Sequence, residues 1–483
     1  MMRRSGERQK GRKASYESRS GYERRRLLGR LAIKLMMLGM LFALWKTGLI
    51  LKAILPSETG VIDAPASNNK MATGEPVTKP LQAVSTTGKQ RHRMHLCNWW
   101  AHMGRPATIL KDEFGYNTTV DATKDEDWDL IFGGYPHCGN RPGTRRKNKK
   151  WDWKMEHYLN QHLNEKGWDT LKPHQVWFPC MGCKDSYCNK QGLCEITRTF
   201  DPDSCYLLPE DLDRLQTKMS SSKDSLWVLK QDSPTMHAHM GSGVSFIRNA
   251  SQIPPAEELA SGTYLVQPFV EQWMGNAEYH RRQEIRLYIA VTSTTPLRAY
   301  AYNEPWVGLA LKVFDPPSST EASPDVCMLD THIHRKGCQG DGLTTDERSP
   351  SFEEFCKLYG LTTAQADRFL QSAQTLIAKI LTNANPRISS HPVNDGITKS
   401  HASCFSFMRA DLTVASNGEA YVYEINEFPF SNEKGIVANR VQGQAYRDLF
   451  AMIGLDQPAL PVDKRANYEL SHLGGWIPLY ATA

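Results

Sequence analysis

Short runs rich in Val, Ile, Tyr and Trp recur between residues 226 and 426, and each is bounded by Gly, Pro, Asn or Ser. Residues of the first kind favour the pleated backbone of a β-strand, and the bounding residues favour turns. The runs are 226–231, 264–270, 285–292, 297–302 and 420–426. A helical spacing appears at 364–382, where Phe369, Ala373 and Ile377 share one apolar face. The chain is therefore predicted to belong to the α+β (or α/β) class.

The first 55 residues divide into a basic leader and an apolar segment. Residues 1–30 carry 11 Lys or Arg against three Asp or Glu, and residues 31–55 are mainly apolar but include Lys34, Lys46 and Lys52. A basic cluster before an apolar stretch is typical of a signal anchor whose N-terminus stays in the cytoplasm. We therefore predict a single-pass membrane protein of the Golgi or ER with its body in the lumen. A cleaved signal peptide and an organelle-targeting helix are the alternatives, and the body could also face the cytosol.

Charge and composition also indicate how the rest of the chain is organised and which partners it is not expected to bind. The net charge of +6 is concentrated in the leader, so a broad basic surface for nucleic acid is not predicted. Residues 56–91 lack aromatic side chains and are rich in Pro, Ser and Thr, which predicts a flexible stem. The predicted divisions are a leader (1–30), an anchor helix (31–55), the stem (56–91), an N-terminal lobe (92–225), a second region (226–455) and a tail (456–483).

Five of the 11 cysteines fall within residues 180–205. Cys180, Cys183, Cys188 and Cys194 supply the four thiolates that tetrahedral zinc requires, but their spacing matches no standard zinc knuckle pair. Disulfide bonds explain the cluster if the body lies in an oxidising compartment. We predict disulfides here, with zinc and free thiols as alternatives, and the odd total leaves at least one thiol unpaired or intermolecular.

A strand that ends in Glu424 and Asn426 carries the sharpest site pattern. Residues i and i+2 of a strand project from the same face, so a carboxylate and an amide oxygen point together. Asp411 lies in a second strand-like run, and three oxygen ligands from neighbouring strands suit Mg²⁺, which also accepts substrate phosphates. Lys230 ends an apolar strand, a place from which its ammonium group can reach a phosphate. These residue types together indicate a site for a phosphorylated ligand.

Two further patterns support this interpretation. Gly241 and Gly243 lie close together after the strand that contains Lys230, and glycines let backbone N–H groups approach an anion. Glu284 and Arg286 then share one face of a long predicted strand, where a surface ion pair is the alternative interpretation.

Taken in order, these elements resemble the ATP-grasp ligases and, within them, the tubulin–tyrosine ligase-like family. The segments that carry the resemblance are WVLKQ at 227–231, GSGVSFI at 241–247, YLVQPFV at 264–270, and residues 282–302 and 407–430. The resemblance implies ATP-grasp-like lobes of mixed or antiparallel sheet with helices over 226–455. It also implies ATP and Mg²⁺ as cofactors of a carboxylate–amine ligase, which adds amino acids to a protein or peptide acceptor through an acyl phosphate.

The resemblance assigns roles to the matching positions. Arg286 is the implied catalytic residue, because it matches a phosphate-binding arginine. The implied nucleotide-binding residues are Lys230, Gly241, Gly243, Gln267, Val270, Arg282 and Glu284. The implied magnesium ligands are Asp411, Glu424 and Asn426.

Departures from the family pattern define the alternatives. Ser242 stands between the two loop glycines, and Asp330 replaces an expected asparagine. A non-catalytic, membrane-tethered nucleotide-binding protein is therefore one competing hypothesis. A phosphotransferase of the ATP-grasp type is the other. Tubulin is a predicted acceptor only if the body faces the cytosol.

Overall fold

The computed structural model describes part of the chain. The described residues are 93–96, 100–117, 128–132, 163–183, 186–222, 225–232, 244–260, 262–274, 280–314, 343–427, 429, 435–457 and 460–480. They all belong to one compact unit, Thr86–Ala483. The predicted leader, anchor helix and stem lie outside the described residues.

The described strands form three sheets. The first contains Met94–Leu96 (β1), Leu130–Phe132 (β2), Val176–Phe178 (β3) and Ser403–Cys404 (β11), all parallel, in the order β1–β2–β3–β11. The second contains Tyr206–Leu208 (β4), Trp227–Asp232 (β5), Val244–Ile247 (β6) and Thr263–Pro268 (β7), antiparallel, in the order β4–β7–β5–β6. The third contains Gln283–Thr294 (β8), Leu297–Tyr302 (β9), Trp306–Leu309 (β10), Ser406–Val414 (β12), Ala420–Asn426 (β13) and Trp476–Tyr480 (β14). Its antiparallel order is β13–β12–β8–β9–β14, and β10 pairs with β8.

Helices connect and cover these sheets. The helices are Trp100–Asp112 (α1), Lys190–Thr197 (α2), Leu212–Ser221 (α3), Ala256–Leu259 (α4), Phe352–Leu358 (α5), Thr363–Ser389 (α6), Pro392–Lys399 (α7), Ile436–Met452 (α8) and Val462–Ser471 (α9). The long helix α6 begins with a capping box, in which Thr362 and Gln365 satisfy each other's backbone N–H groups. The predicted helix at 364–382 is thus part of α6.

The third sheet is the centre of the described fold, because helices cover both of its faces. The helix α6 packs Phe369 and Ile377 against the β8 side chains that include Ile289. On the other face α8 packs against the alternate residues, and Tyr446 stacks on Phe407 with ring centroids 4.0 Å apart. Every residue of β12 is buried, as the central position of this strand requires. The predicted combination of antiparallel sheets with helices is confirmed.

Three pairs of cysteines form disulfides in the described region. Cys180 is bonded to Cys404, Cys183 to Cys188, and Cys194 to Cys205. Cys356 is a free cysteine. The four clustered cysteines are therefore divided among different disulfides rather than joined at one zinc ion, and Cys404, a distant residue in the sequence, completes the set.

The predicted localisation is corrected. Nowhere in the described residues does a helix combine the length and apolarity needed to cross a bilayer. This finding contradicts a single-pass endomembrane protein with a luminal body. Lys34, Lys46 and Lys52 leave only short charge-free runs in the predicted anchor, against roughly 30 Å of hydrocarbon to be crossed. The predicted anchor itself, residues 31–55, lies outside the described residues.

A buried carboxylate ties α9 to the third sheet, and its removal has a predictable effect. Glu469 accepts hydrogen bonds from Thr292 at 2.7 Å, Tyr300 at 2.7 Å and Arg298 at 2.9 Å. Replacing Glu469 with Gln is expected to lower the free energy of unfolding by about 2 kcal/mol, because Arg298 loses its buried counter-charge. Urea denaturation measures the change. The control, Glu257→Gln, alters an exposed side chain on α4 and should leave stability almost unchanged. Equal stability of the two variants would contradict the prediction.

Candidate functional site

Three neighbouring strands bring the predicted polar residues together. The strand β12 lies between β8 and β13, and Asp411 pairs with Arg286 on one side and Glu424 on the other. Residues paired across antiparallel strands have Cβ atoms about 4.5–5.5 Å apart and face the same side of the sheet. The structure therefore places Arg286, Asp411 and Glu424 side by side, although they are far apart in the sequence.

Asn426 lies between the two carboxylates. Its Nδ2 atom is 2.7 Å from Oδ2 of Asp411 and 3.1 Å from Oε1 of Glu424. The carboxylate oxygens of Asp411 and Glu424 thus converge on one amide group. All three predicted magnesium ligands are brought together by the structure.

Arg286 is fixed in position by contacts on several sides. Its Nε donates to Oε1 of Glu284 at 2.5 Å and lies 3.8 Å from Oδ1 of Asp411. Its guanidinium carbon is 4.5 Å from the ring centroid of Trp306, a residue of β10. Only 1% of Arg286 is exposed. Stacking and ion pairing together hold this guanidinium as a rigid cation beside Asp411.

A β-bulge in β13 directs a further residue toward the site. The pairing partner changes from Glu424 at Asp411 to Val422 at Leu412, so Tyr423 is the extra residue. A bulge re-aims the side chains around it. The hydroxyl of Tyr423 accepts a hydrogen bond from Arg282 at 2.7 Å. The predicted nucleotide contact Arg282 is therefore tied to the strand that carries Glu424.

Arg282 also stacks on aromatic rings. Its guanidinium carbon is 4.7 Å from the ring centroid of Phe269 and 5.4 Å from that of Phe314. Such contacts between a cation and aromatic faces stabilise the position of the charge. Arg282 is thereby held between the segment after β7 and the segment after β10.

The second sheet contributes Lys230 to the same region. Its Nζ donates to Oε1 of Gln267 at 2.6 Å and lies 6.0 Å from the ring centroid of Tyr423. Two predicted nucleotide-binding residues, Lys230 and Gln267, are therefore in contact across β5 and β7. Val270 lies in the segment that follows β7. Gly241 and Gly243 lie outside the described residues.

The environment of Lys230 lowers its pKa. Burial lowers the pKa of Lys230 to about 8; the charge of Lys190 acts in the same direction, and that of Glu424 opposes it. Lys230 is therefore mostly protonated at neutral pH, but the groups around it only partly neutralise its positive charge. An anionic group such as a phosphate would stabilise its charged form.

The two carboxylates of the cluster have shifted pKa values for different reasons. Burial acts to raise the pKa of Glu424, but the charge of Lys190 and the hydrogen bond from Asn426 help to lower it to about 2. Burial raises the pKa of Asp411, and the charge of Arg409 opposes this shift. Glu424 is consequently an anion throughout the physiological pH range, which is the form in which a carboxylate binds a cation.

Three residues near the site were not predicted from the sequence. Arg409 pairs with Asp411, and the i, i+2 spacing of the two residues was the available signal. Tyr423 reaches the site through the bulge, which leaves no clear sequence signal. Lys190 is the first residue of α2, which lies within the cysteine-rich residues 180–205, and its charge acts on both Lys230 and Glu424.

The side-chain oxygens of this cluster fit a small divalent cation that is also bound by water or phosphate oxygens. Asp411 and Glu424 are carboxylates, and Asn426 adds an amide oxygen. Over the described ranges, no group of three or more His, Cys, Asp or Glu side chains could hold a metal ion. Asp411, Glu424 and Asn426 could therefore supply only part of a coordination shell. Mg²⁺ suits such a site, because it commonly takes one or two carboxylates and completes its shell with water and phosphate oxygens.

A separate cavity of about 400 Å³ has charged groups in its lining, including Arg298, Arg465 and Glu469. Arg298 and Glu469 are paired with each other, and Arg465 donates to backbone carbonyls that include those of Leu460 and Ala402. These charges serve to connect segments of the fold. The cluster around Asp411 and Glu424 is therefore the stronger candidate site.

Comparisons with known proteins give a family match. The model of the tubulin-tyrosine ligase family matches residues 180–464, which include every strand and helix of the candidate site. The chain is 24% identical to tubulin polyglutamylase TTLL6 of Mus musculus over 263 residues, 52% of this chain and 29% of that protein.

Two other relatives show similar resemblance. The chain is 21% identical over 359 residues to tubulin monoglutamylase TTLL4 of Homo sapiens, covering 72% of this chain and 27% of that protein. It is 23% identical over 202 residues to tubulin polyglutamylase TTLL7 of Xenopus tropicalis, covering 39% of this chain and 21% of that protein. The chain thus spans less than a third of the length of these relatives.

Proposed function

The chain belongs to the tubulin-tyrosine ligase family, and on this premise we propose that it is an ATP- and Mg²⁺-dependent ligase that joins an amino acid to a protein acceptor. The observation that carries the proposal is the convergence of Arg286, Asp411 and Glu424 on adjacent strands. The relatives are named as glutamylases of tubulin, so glutamate and tubulin are the first amino acid and acceptor to be tested.

The proposed reaction has two steps. A carboxylate oxygen attacks the terminal phosphorus of ATP, which forms an acyl phosphate and releases ADP. The amine then attacks the acyl carbon, an amide bond forms, and inorganic phosphate leaves. Neither step needs a covalent bond to the protein, so the side chains act by positioning the reactants and neutralising charge.

The proposed roles follow from the charges of the site. Basic side chains outnumber carboxylates in the cluster; the basic residues are Lys190, Lys230, Arg282, Arg286 and Arg409, and the acidic ones are Glu284, Asp411 and Glu424. This excess of positive charge suits a triphosphate. We assign Lys230 and Arg282 to nucleotide binding and Arg286 to the transferred phosphate, while bound Mg²⁺ would neutralise phosphate charge.

The remaining assignments involve the nucleotide itself. The backbone of residues 267–270 is proposed to bind adenine, and the N–H groups around Gly241 and Gly243 the phosphates. Glu284 is proposed to contact the nucleotide while it holds Arg286 in place.

The affinity for Mg²⁺-ATP is expected to fall about tenfold as the pH rises from about 7 to about 9. Lys230 has a pKa of about 8, so it is protonated at the lower pH and neutral at the higher, where its attraction to phosphate is lost. Equilibrium binding at the two pH values measures the effect. The variant Lys230→Met should bind more weakly and show little of this pH dependence. Equal pH dependence in both proteins would exclude Lys230 as its source.

The test of the proposed function is a product assay. Purified protein is incubated with Mg²⁺, ATP, labelled glutamate and tubulin, and each component is omitted in turn. We expect label on tubulin and formation of ADP only in the complete mixture. A phosphate added to the acceptor would instead indicate a phosphotransferase, and stabilisation by Mg²⁺-ATP without any product would indicate a non-catalytic nucleotide-binding protein.

A further inference from the structure

Arg409 occupies both oxygen atoms of the Asp411 carboxylate. Its Nε donates to Oδ1 at 2.6 Å, and its Nη2 donates to Oδ2 at 2.9 Å. Asn426 adds a third hydrogen bond, to Oδ2 at 2.7 Å. Two parallel bonds between a guanidinium and a carboxylate form the strongest kind of ion pair that these side chains make.

The position of Arg409 in the sheet leaves the side chains of Arg409 and Asp411 little room to move apart. Arg409 and Asp411 are two residues apart on β12, so they share a face, and their side chains are only 6% and 2% exposed. Arg409 is paired with Tyr288 of β8 and Asn426 of β13, so strands flank it on both sides. Separating the two charges would break a buried ion pair, which is strongly unfavourable.

A cation bound directly to Asp411 would meet two arginines. Mg²⁺ binds oxygen at about 2.0–2.1 Å, so its charge would lie close to the Arg409 guanidinium, which is hydrogen-bonded to both carboxylate oxygens. It would also stand close to Arg286, whose Nε is 3.8 Å from Oδ1 of Asp411. Both effects oppose direct coordination by Asp411.

Glu424 has a different environment. Its side chain accepts a hydrogen bond from Nδ2 of Asn426 at 3.1 Å, and the nearby charges of Lys190, Arg409 and Lys230 act on it through space. Rotation of the Asn426 amide would turn its oxygen toward the same point. Glu424 and Asn426 can therefore bind a cation without breaking a buried ion pair.

We propose that Arg409 is a built-in cation that keeps Asp411 from binding the metal directly, so that Glu424 and Asn426 are the metal-ligating side chains of the site. This inference rests on the proposed function and deepens it, because it revises which of the three predicted ligands contacts the metal. Asp411 becomes a positioning residue for the two arginines, Arg286 and Arg409. Removal of Arg409 should then create a new cation position at Asp411.

Binding of Mn²⁺, a spectroscopic substitute for Mg²⁺, tests the inference. Free Mn²⁺ is measured by electron paramagnetic resonance in titrations of the wild-type protein and of Arg409→Ala, with and without a non-hydrolysable ATP analogue. We expect Arg409→Ala to bind Mn²⁺ at least tenfold more tightly or to bind one additional ion. The gain should disappear in the double variant Arg409→Ala/Asp411→Asn. The matched control, Arg387→Ala, removes an arginine whose side chain is 58% exposed and should bind as the wild type does.

A second variant covers the case in which Arg409→Ala does not fold. In the protein that retains Arg409, Asp411→Asn should change the Mn²⁺ affinity less than threefold, whereas Glu424→Gln should weaken it by about a hundredfold. Unchanged Mn²⁺ binding in folded Arg409→Ala, or a hundredfold loss in Asp411→Asn, would overturn the inference. If the wild type binds no Mn²⁺–nucleotide complex, the proposed function fails. The nucleotide-free titration of Arg409→Ala still decides the inference in that case, because freeing Asp411 requires no ATP.

Discussion

Replacing Glu424 with glutamine is expected to reduce the rate of amino acid transfer by about a thousandfold, since several kcal/mol of stabilisation by the metal are lost. Glutamine has the same shape and can still contact Asn426, but it carries no charge to hold a divalent cation. Glu424 also balances the charges of Lys190 and Lys230, so its neutral replacement alters the site electrostatically without enlarging it. Turnover is measured as incorporation of labelled amino acid at saturating ATP.

The control for this prediction lies on the same hairpin. Glu419 is exposed in the turn between β12 and β13, and Glu419→Gln should retain wild-type turnover. Thermal unfolding of both variants checks that the fold is preserved. Substantial turnover in a folded Glu424→Gln variant would remove Glu424 from the proposed catalytic site.

Replacing Arg286 with lysine is expected to lower kcat at least a hundredfold while the positive charge is kept. The Arg286 side chain donates a hydrogen bond to Glu284, lies close to Asp411 and stacks on Trp306. An ammonium group is compact and strongly hydrated, so it cannot maintain the planar stack and the directed hydrogen bond together. The charge would no longer be fixed where the transferred phosphate is proposed to lie. Displacing a catalytic group by about 1 Å costs about two orders of magnitude in rate.

The matched substitution is Arg368→Lys, at an exposed position of α6. It should leave both kcat and KM within the error of the wild-type values. Steady-state kinetics of the two variants, combined with their thermal unfolding, separates a local effect from loss of the fold. A kcat of Arg286→Lys within threefold of wild type would show that charge alone is required at this position.

Much of the fold could be predicted, because its strands and helices have clear local patterns. The alternation at 420–426 and the apolar run at 285–292 correspond to β13 and to part of β8. The order of the strands in the sheets required long-range pairing, which short sequence patterns do not encode. The bond between Cys180 and Cys404 depends in the same way on the adjacency of β3 and β11. The family, predicted from several motifs in order, is confirmed.

The site was predictable where residues i and i+2 share a strand face. Glu424 with Asn426, and Glu284 with Arg286, were found by this rule, and their roles remain proposals. The bulge at Tyr423 was missed because it breaks the regular alternation on which the rule depends. The same rule also relates Arg409 to Asp411, but whether a neighbouring charge opposes or assists a metal depends on rotamers that only the structure specifies.

The most direct test of the account follows a single oxygen atom. The carboxylate that is to be activated is prepared with an isotopic oxygen label, and the purified protein is supplied with ATP, Mg²⁺ and the amine. Formation of an acyl phosphate predicts that one labelled oxygen appears in the released inorganic phosphate each time an amide bond forms. Amide formation that leaves all of the label in the product would contradict the account, as would phosphate transfer to a hydroxyl group.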